Sequence, residues 1–269
     1  MNKIISIIFI TLFLQGCFST KTDTYGKVLP SGDTKSLVKT FNSNFDSLLH
    51  KYVDSKGNVD YSNWHKDQVG ITTIFDSTLS KIDTTKLTGS DKMAFFINVY
   101  NILTIKGMLS HYPIKSIMDK VSRVGGFHFW KDTYVQFSNS KYSLDQIEHE
   151  ILRPMKDARI HYAIVCASKS CPPLRNEVFR SKTLDSQLDD QAHRFLSSKN
   201  NFFIDEDMEL IQYSTIYKWF LADFAKSESD LLNVVKPYLS SKDKALLESI
   251  EINDYSINFL PYDWSINSK

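Results

Sequence analysis

Between Ser90 and Tyr112 the chain has room for only one kind of element, a long helix buried on nearly every side. Met93, Phe95, Phe96, Ile97, Val99, Tyr100, Ile102, Leu103 and Ile105 follow one another without leaving a polar face. A helix with apolar groups all round belongs inside a protein or a bilayer, not on a surface. Ser90 is placed to cap it, Asp91 suits the first turn, and Pro113 helps to end it. Whatever else the chain does, its remaining elements must wrap this rod.

The elements on either side are shorter and mostly helical. Leu37 to Tyr52 has helical apolar spacing, and Gly57-Asn58 marks a turn. Thr133–Phe137 and Lys141–Ser143 predict a hairpin. Ser143-Leu144-Asp145-Gln146 then carries the pattern of a capping box. Ile160 to Cys166 is β-branched and nearly free of polar groups, which predicts a buried strand. Leu184 to Leu196 is amphipathic, and Phe202–Ile204 with Glu209–Tyr213 predicts a second hairpin. Ile216–Phe224, Leu231–Leu239 and Asp243–Ile250 read as helices. The fold class expected is α+β: a mostly helical single domain with short antiparallel hairpins and one buried central strand.

The N-terminus carries an address. Lys3 precedes an apolar run from Ile4 to Leu14 that ends in Leu14-Gln15-Gly16-Cys17. Eleven residues of helix rise about 16 Å, too short to span a bilayer and suited to a signal-peptide core. The ending resembles a lipobox. The resemblance implies cleavage after residue 16 and a Cys17 carrying diacylglycerol and palmitate. Phe18, where Asp would retain a lipoprotein at the inner membrane, implies an outer-membrane anchor facing the periplasm. Residues 17–36, rich in Ser, Thr, Lys and Gly, read as a lipidated cysteine and flexible tether, and 37–269 as the globular domain. Removing Lys3 with the signal leaves basic residues equal to the 31 acidic ones. Nothing in that balance calls for nucleic acid. The expected partner is the membrane, through the lipid on Cys17, and a protein or small-molecule partner is left open.

The candidate chemistry is scattered. Asn98 and Asn101 share one face of the buried helix and must be hydrogen-bonded to something, either loop backbone or a ligand. Glu148 points toward the apolar stripe of the capped helix and needs a partner, for which Arg153, Arg159 or a histidine is available. His149 is turned away from that stripe. His161 opens the expected strand. Cys171 precedes Pro172, a possible helix start that would activate its thiol. Cys171, His161 and Glu148 are thus the parts of a thiol hydrolase or acyltransferase. The competing expectation is a Cys166–Cys171 disulfide in an exported protein. C-x₄-C lacks a second ligand pair, so neither zinc nor any cofactor is expected.

Several runs together resemble a known family. These are Ala94–Asn101 (AFFINVYN), Tyr142–His149 (YSLDQIEH) with Leu152-Arg153, Arg159–Leu174 (RIHYAIVCASKSCPPL), and the terminal Leu260–Asn267 (LPYDWSIN). The chain is similar, from Leu37 to Asn267, to the domain-of-unknown-function family numbered 547. The resemblance implies a shared fold and a shared residue list, with no activity attached. The function expected is an outer-membrane-anchored periplasmic lipoprotein with a non-catalytic binding or structural domain. The alternative is the thiol enzyme.

Overall fold

The buried rod is present as Gly89–His111, and its residues from Met93 to Ile105 are closed off from solvent. By length and hydropathy it could cross a membrane, yet the protein itself buries it. The computed structural model describes residues 32–121 and 128–269. The signal segment, Cys17 and most of the tether lie outside them. The helix begins one residue earlier than expected, with Thr88 at the cap position. Neither Thr88 nor Ser90 makes the side-chain cap bond expected of Ser90.

Thr34–Tyr52 lies against the rod. Asp33 caps it by accepting a hydrogen bond from the Ser36 N–H at 3.1 Å, so the helix starts three residues before Leu37. Phe41 from this helix meets Phe95 edge-on at 5.6 Å. The first hairpin forms as β1 (Tyr134–Gln136) and β2 (Lys141–Ser143). Ser143 and Gln146 make the capping box reciprocally, at 3.2 and 3.1 Å. The capped turn then widens into π-helical Ile147–Leu152, an irregularity often found at functional sites.

A second apolar cluster forms around Leu184–Leu196, the amphipathic helix, and a three-stranded sheet. β3 (Phe202–Asp205) and β4 (Leu210–Ser214) make the second expected hairpin. β5 (Ser256–Leu260), not foreseen in the sequence, joins β4 in parallel with Tyr213 beside Phe259. Because β4 and β5 are parallel, both leave the sheet at the same end. The helix Thr215–Trp219 after β4 and the segment after β5 therefore arrive side by side, and this places Trp219 next to Tyr262.

The α+β single-domain class holds, but the buried central strand does not. Ala158–Tyr162 is a 3₁₀ turn and Ala163–Cys166 is irregular, although buried nearly throughout. With no strand beside it among the described residues, the middle of the segment is clamped by a side chain instead. Asn101 Nδ2 donates to the Ala163 carbonyl at 2.9 Å and Asn101 Oδ1 accepts from the Val165 N–H at 3.0 Å.

Candidate functional site

A cavity of about 230 Å³ lies between the rod and the segments that follow β4 and β5. Its floor comes from the rod, the π-helical turn and the 160–171 segment: Tyr100, Glu148, His161, Cys166 and Cys171 all line it. Its walls are aromatic. Trp264 lies 26° from parallel to Trp219 with centroids 5.5 Å apart, Tyr262 packs within 4.8 Å of Trp219, and Trp130 meets Trp264 edge-on at 6.1 Å. Phe220 stacks on the His161 ring at 4.0 Å. Trp219, 47 % exposed, stands at the rim.

Glu148 finds neither of its expected arginines. The Tyr100 hydroxyl donates to Oε2 at 3.2 Å. Arg159 is occupied by Asp157, Asp185 and Asp189. Arg153 forks onto Asp223, at 2.6 and 3.0 Å, and reaches His149 Nδ1 at 2.8 Å. Burial raises the Glu148 carboxyl to about 7, against the pull of Tyr100 and Arg153. His161 Nε2 sits 2.8 Å from Asp223 Oδ2, yet burial outweighs that contact and lowers the imidazole to about 4. Burial thus favours the uncharged form of both the carboxyl and the imidazole on the floor. His149 is exposed at the cavity edge.

The cysteines are free, with Sγ atoms 3.0 Å apart. The expected proximity is present; the expected disulfide is not formed in this structure. Cys171 opens no helix, so the activation expected from a helix N-terminus is missing. Its sulfur instead accepts the Cys166 N–H at 2.8 Å, and burial pushes its thiol up. Cys166 is half-buried. The Ser168 hydroxyl donates to Tyr262 Oη at 3.0 Å, which leaves the Tyr262 O–H to point at Cys166 Sγ, 3.1 Å away. Contact with the Cys171 thiol, helped by these hydroxyls, lowers Cys166 to about 7. Of the two sulfurs, Cys166 is the more ionised and the more reachable.

Cys171, His161 and Glu148 therefore share one cavity, but no hydrogen bond among the described residues joins any two of them. Each is committed elsewhere: to Cys166, to Asp223 and to Tyr100. Asn98 and Asn101 do not line the cavity. Asn98 holds both backbone groups of Phe179, at 2.8 and 2.9 Å, as Asn101 holds the segment before Cys166.

Residues 84–196 match a family model described as a protein of unknown function, DUF547. The DUF547 match takes in Tyr100, Glu148, His161 and both cysteines, hence the whole polar floor. It stops short of Trp219, Phe220, Tyr262 and Trp264, which supply most of the aromatic wall, and of Asp223, the partner of His161. No curated protein and no solved structure matches the chain.

Sequence reasoning missed Asp223, Phe220, Trp130 and Trp219, and it gave Tyr100 and Ser168, which stood in the signatures, no role. Tyr262 and Trp264 stood in the terminal signature, but nothing local linked them to a cysteine 96 positions away.

Proposed function

We propose that the protein is a lipid-anchored envelope protein whose cavity holds a small, uncharged, ring-bearing molecule. The observation that carries this reading is the wall of tryptophans and Phe220 over a floor where burial favours the uncharged carboxyl and imidazole. A charged ligand would have to shed its water against apolar rings, which is costly without a paired counter-charge. A planar ring is favoured by offset or edge-on contact with those aromatics. An apolar cavity of about 150 Å³ accepts benzene, so about 230 Å³ suits a single ring with a small substituent. Glu148 supports a polar end for the ligand: only Oε2 has a described hydrogen bond, which leaves Oε1 available.

Calorimetric titration with p-cresol tests the reading. Binding is expected, weakened about tenfold by Trp130→Ala, since an aromatic contact contributes about 0.5–1.5 kcal/mol beyond its buried area. No measurable heat, or equal affinity in the variant, would overturn it.

The anchor belongs to the same proposal and rests on Leu14-Gln15-Gly16-Cys17. Cys17→Ala should move the protein from the membrane to the soluble fraction of lysed cells. An unlipidated variant that still sediments with membranes would remove the anchor from the account.

A further inference from the structure

The cysteine pair has a geometry that ligand holding does not use. Only four residues separate Cys166 from Cys171, and the sulfurs stand about 1 Å farther apart than a disulfide requires. The two thiols are unequal in position. Cys166 is half-buried on the cavity wall, beside Tyr262 and Ser168. Cys171 lines the same cavity but is more buried, its sulfur held by the Cys166 N–H.

The loop between them is pinned from outside. Lys169 N–H donates to the Ser265 carbonyl at 2.8 Å, Asn267 N–H to the Ala167 carbonyl at 3.0 Å, and Asp263 N–H to Ser170 Oγ at 2.8 Å. Ala167 is held at φ 61°, a left-handed conformation costing a non-glycine residue about 1–2 kcal/mol. The surrounding contacts hold that strain in place, and the strained residue directly follows Cys166 in the loop that leads back to Cys171.

We propose that Cys166 and Cys171 are a thiol–disulfide exchange pair, with Cys166 attacking a disulfide that enters the cavity and Cys171 resolving the product. The Cys166 thiolate forms a bond to one sulfur of the incoming disulfide. The other sulfur leaves as a thiolate and takes a proton from water. Cys171 then gives up its proton to water and attacks Cys166 Sγ, which expels the second substrate sulfur. The incoming disulfide is reduced to two thiols, and the pair loses two electrons to become a disulfide. The depressed pKa of Cys166 suits it to the first attack, and Cys171 Sγ, 3.0 Å away, is already in place for the second. The aromatic walls favour an uncharged disulfide carrying rings.

The test uses the full chain, reduced, freed of reductant and mixed at neutral pH with 4,4′-dithiodipyridine, an uncharged aromatic disulfide. Peptide mass mapping follows Cys166 and Cys171 separately. Wild type is expected to release two equivalents of thiopyridone from this pair and to end with Cys166 bridged to Cys171, with neither carrying a pyridyl group. Cys171→Ser should release one equivalent and keep the pyridyl group on Cys166. Cys166→Ser should react at least about tenfold more slowly, because Cys171 is buried and little ionised. Wild type ending with a stable pyridyl group on each cysteine would overturn the proposal, and so would undiminished speed in Cys166→Ser. The wild-type result needs no variant to fold. It is also independent of p-cresol affinity, so this proposal and the ligand reading can fail separately.

Discussion

Asn101→Leu is expected to lower the unfolding free energy by about 2–6 kcal/mol in urea titrations. Leu branches at Cγ as Asn does but can neither donate nor accept a hydrogen bond. Asn101 is 2 % exposed and spends both ends of its amide on the Ala163 carbonyl and the Val165 N–H. Removing it strands two buried backbone groups, each worth about 1–3 kcal/mol when left unpaired. Those groups lead directly into Cys166, so the variant should also blur the contrast in reactivity between the two cysteines. Asn98→Leu strands the N–H and carbonyl of Phe179 in the same way. A loss below about 1 kcal/mol in both variants would mean that the amides do not hold these loops.

Glu148→Gln should make the protein more stable at high pH and leave it unchanged at low pH. The folded carboxyl keeps its proton up to about pH 7, whereas the unfolded one releases it near 4.5. Between those values the folded chain binds more protons, so this group lowers stability as pH rises. The span from 4.5 to about 7 corresponds to roughly 3 kcal/mol. His161 acts in the opposite direction. Its folded imidazole gives up its proton near 4 and the unfolded one near 6.5, so stability rises with pH across that interval. In wild type the two slopes oppose each other from about pH 4.5 to 6.5, and their contributions largely cancel. Glu148→Gln removes the falling slope and keeps the Tyr100 hydrogen bond through its amide oxygen. Its advantage over wild type should grow from about zero at pH 4 to roughly 3 kcal/mol at pH 8. A difference independent of pH would show that Glu148 ionises normally in the folded protein.

The parts of the fold that were legible are those written locally. The buried rod, the capping box at Ser143 and Gln146, and both hairpins rest on residues within a few positions of one another. Ile160–Cys166 was misread because β-branching and uninterrupted burial do not distinguish a strand from an irregular segment clamped by a side chain. The clamp, Asn101, lies 62 and 64 positions away. The floor of the cavity was half legible. Glu148, His161 and both cysteines stood out as costly or reactive groups, but their partners Tyr100, Asp223 and Tyr262 did not. The aromatic wall was least legible of all, because β5 brings Tyr262 and Trp264 to Trp219 through a parallel pairing between strands more than forty residues apart.

That wall is the central claim, and a crystal structure of the protein with p-cresol tests it most directly. The account predicts one ring among Trp130, Phe220 and Trp264, with its hydroxyl within hydrogen-bond reach of Glu148 Oε1. A crystal in which the cavity stays empty at saturating p-cresol, or holds the ring only on the outer face of Trp219, would contradict it.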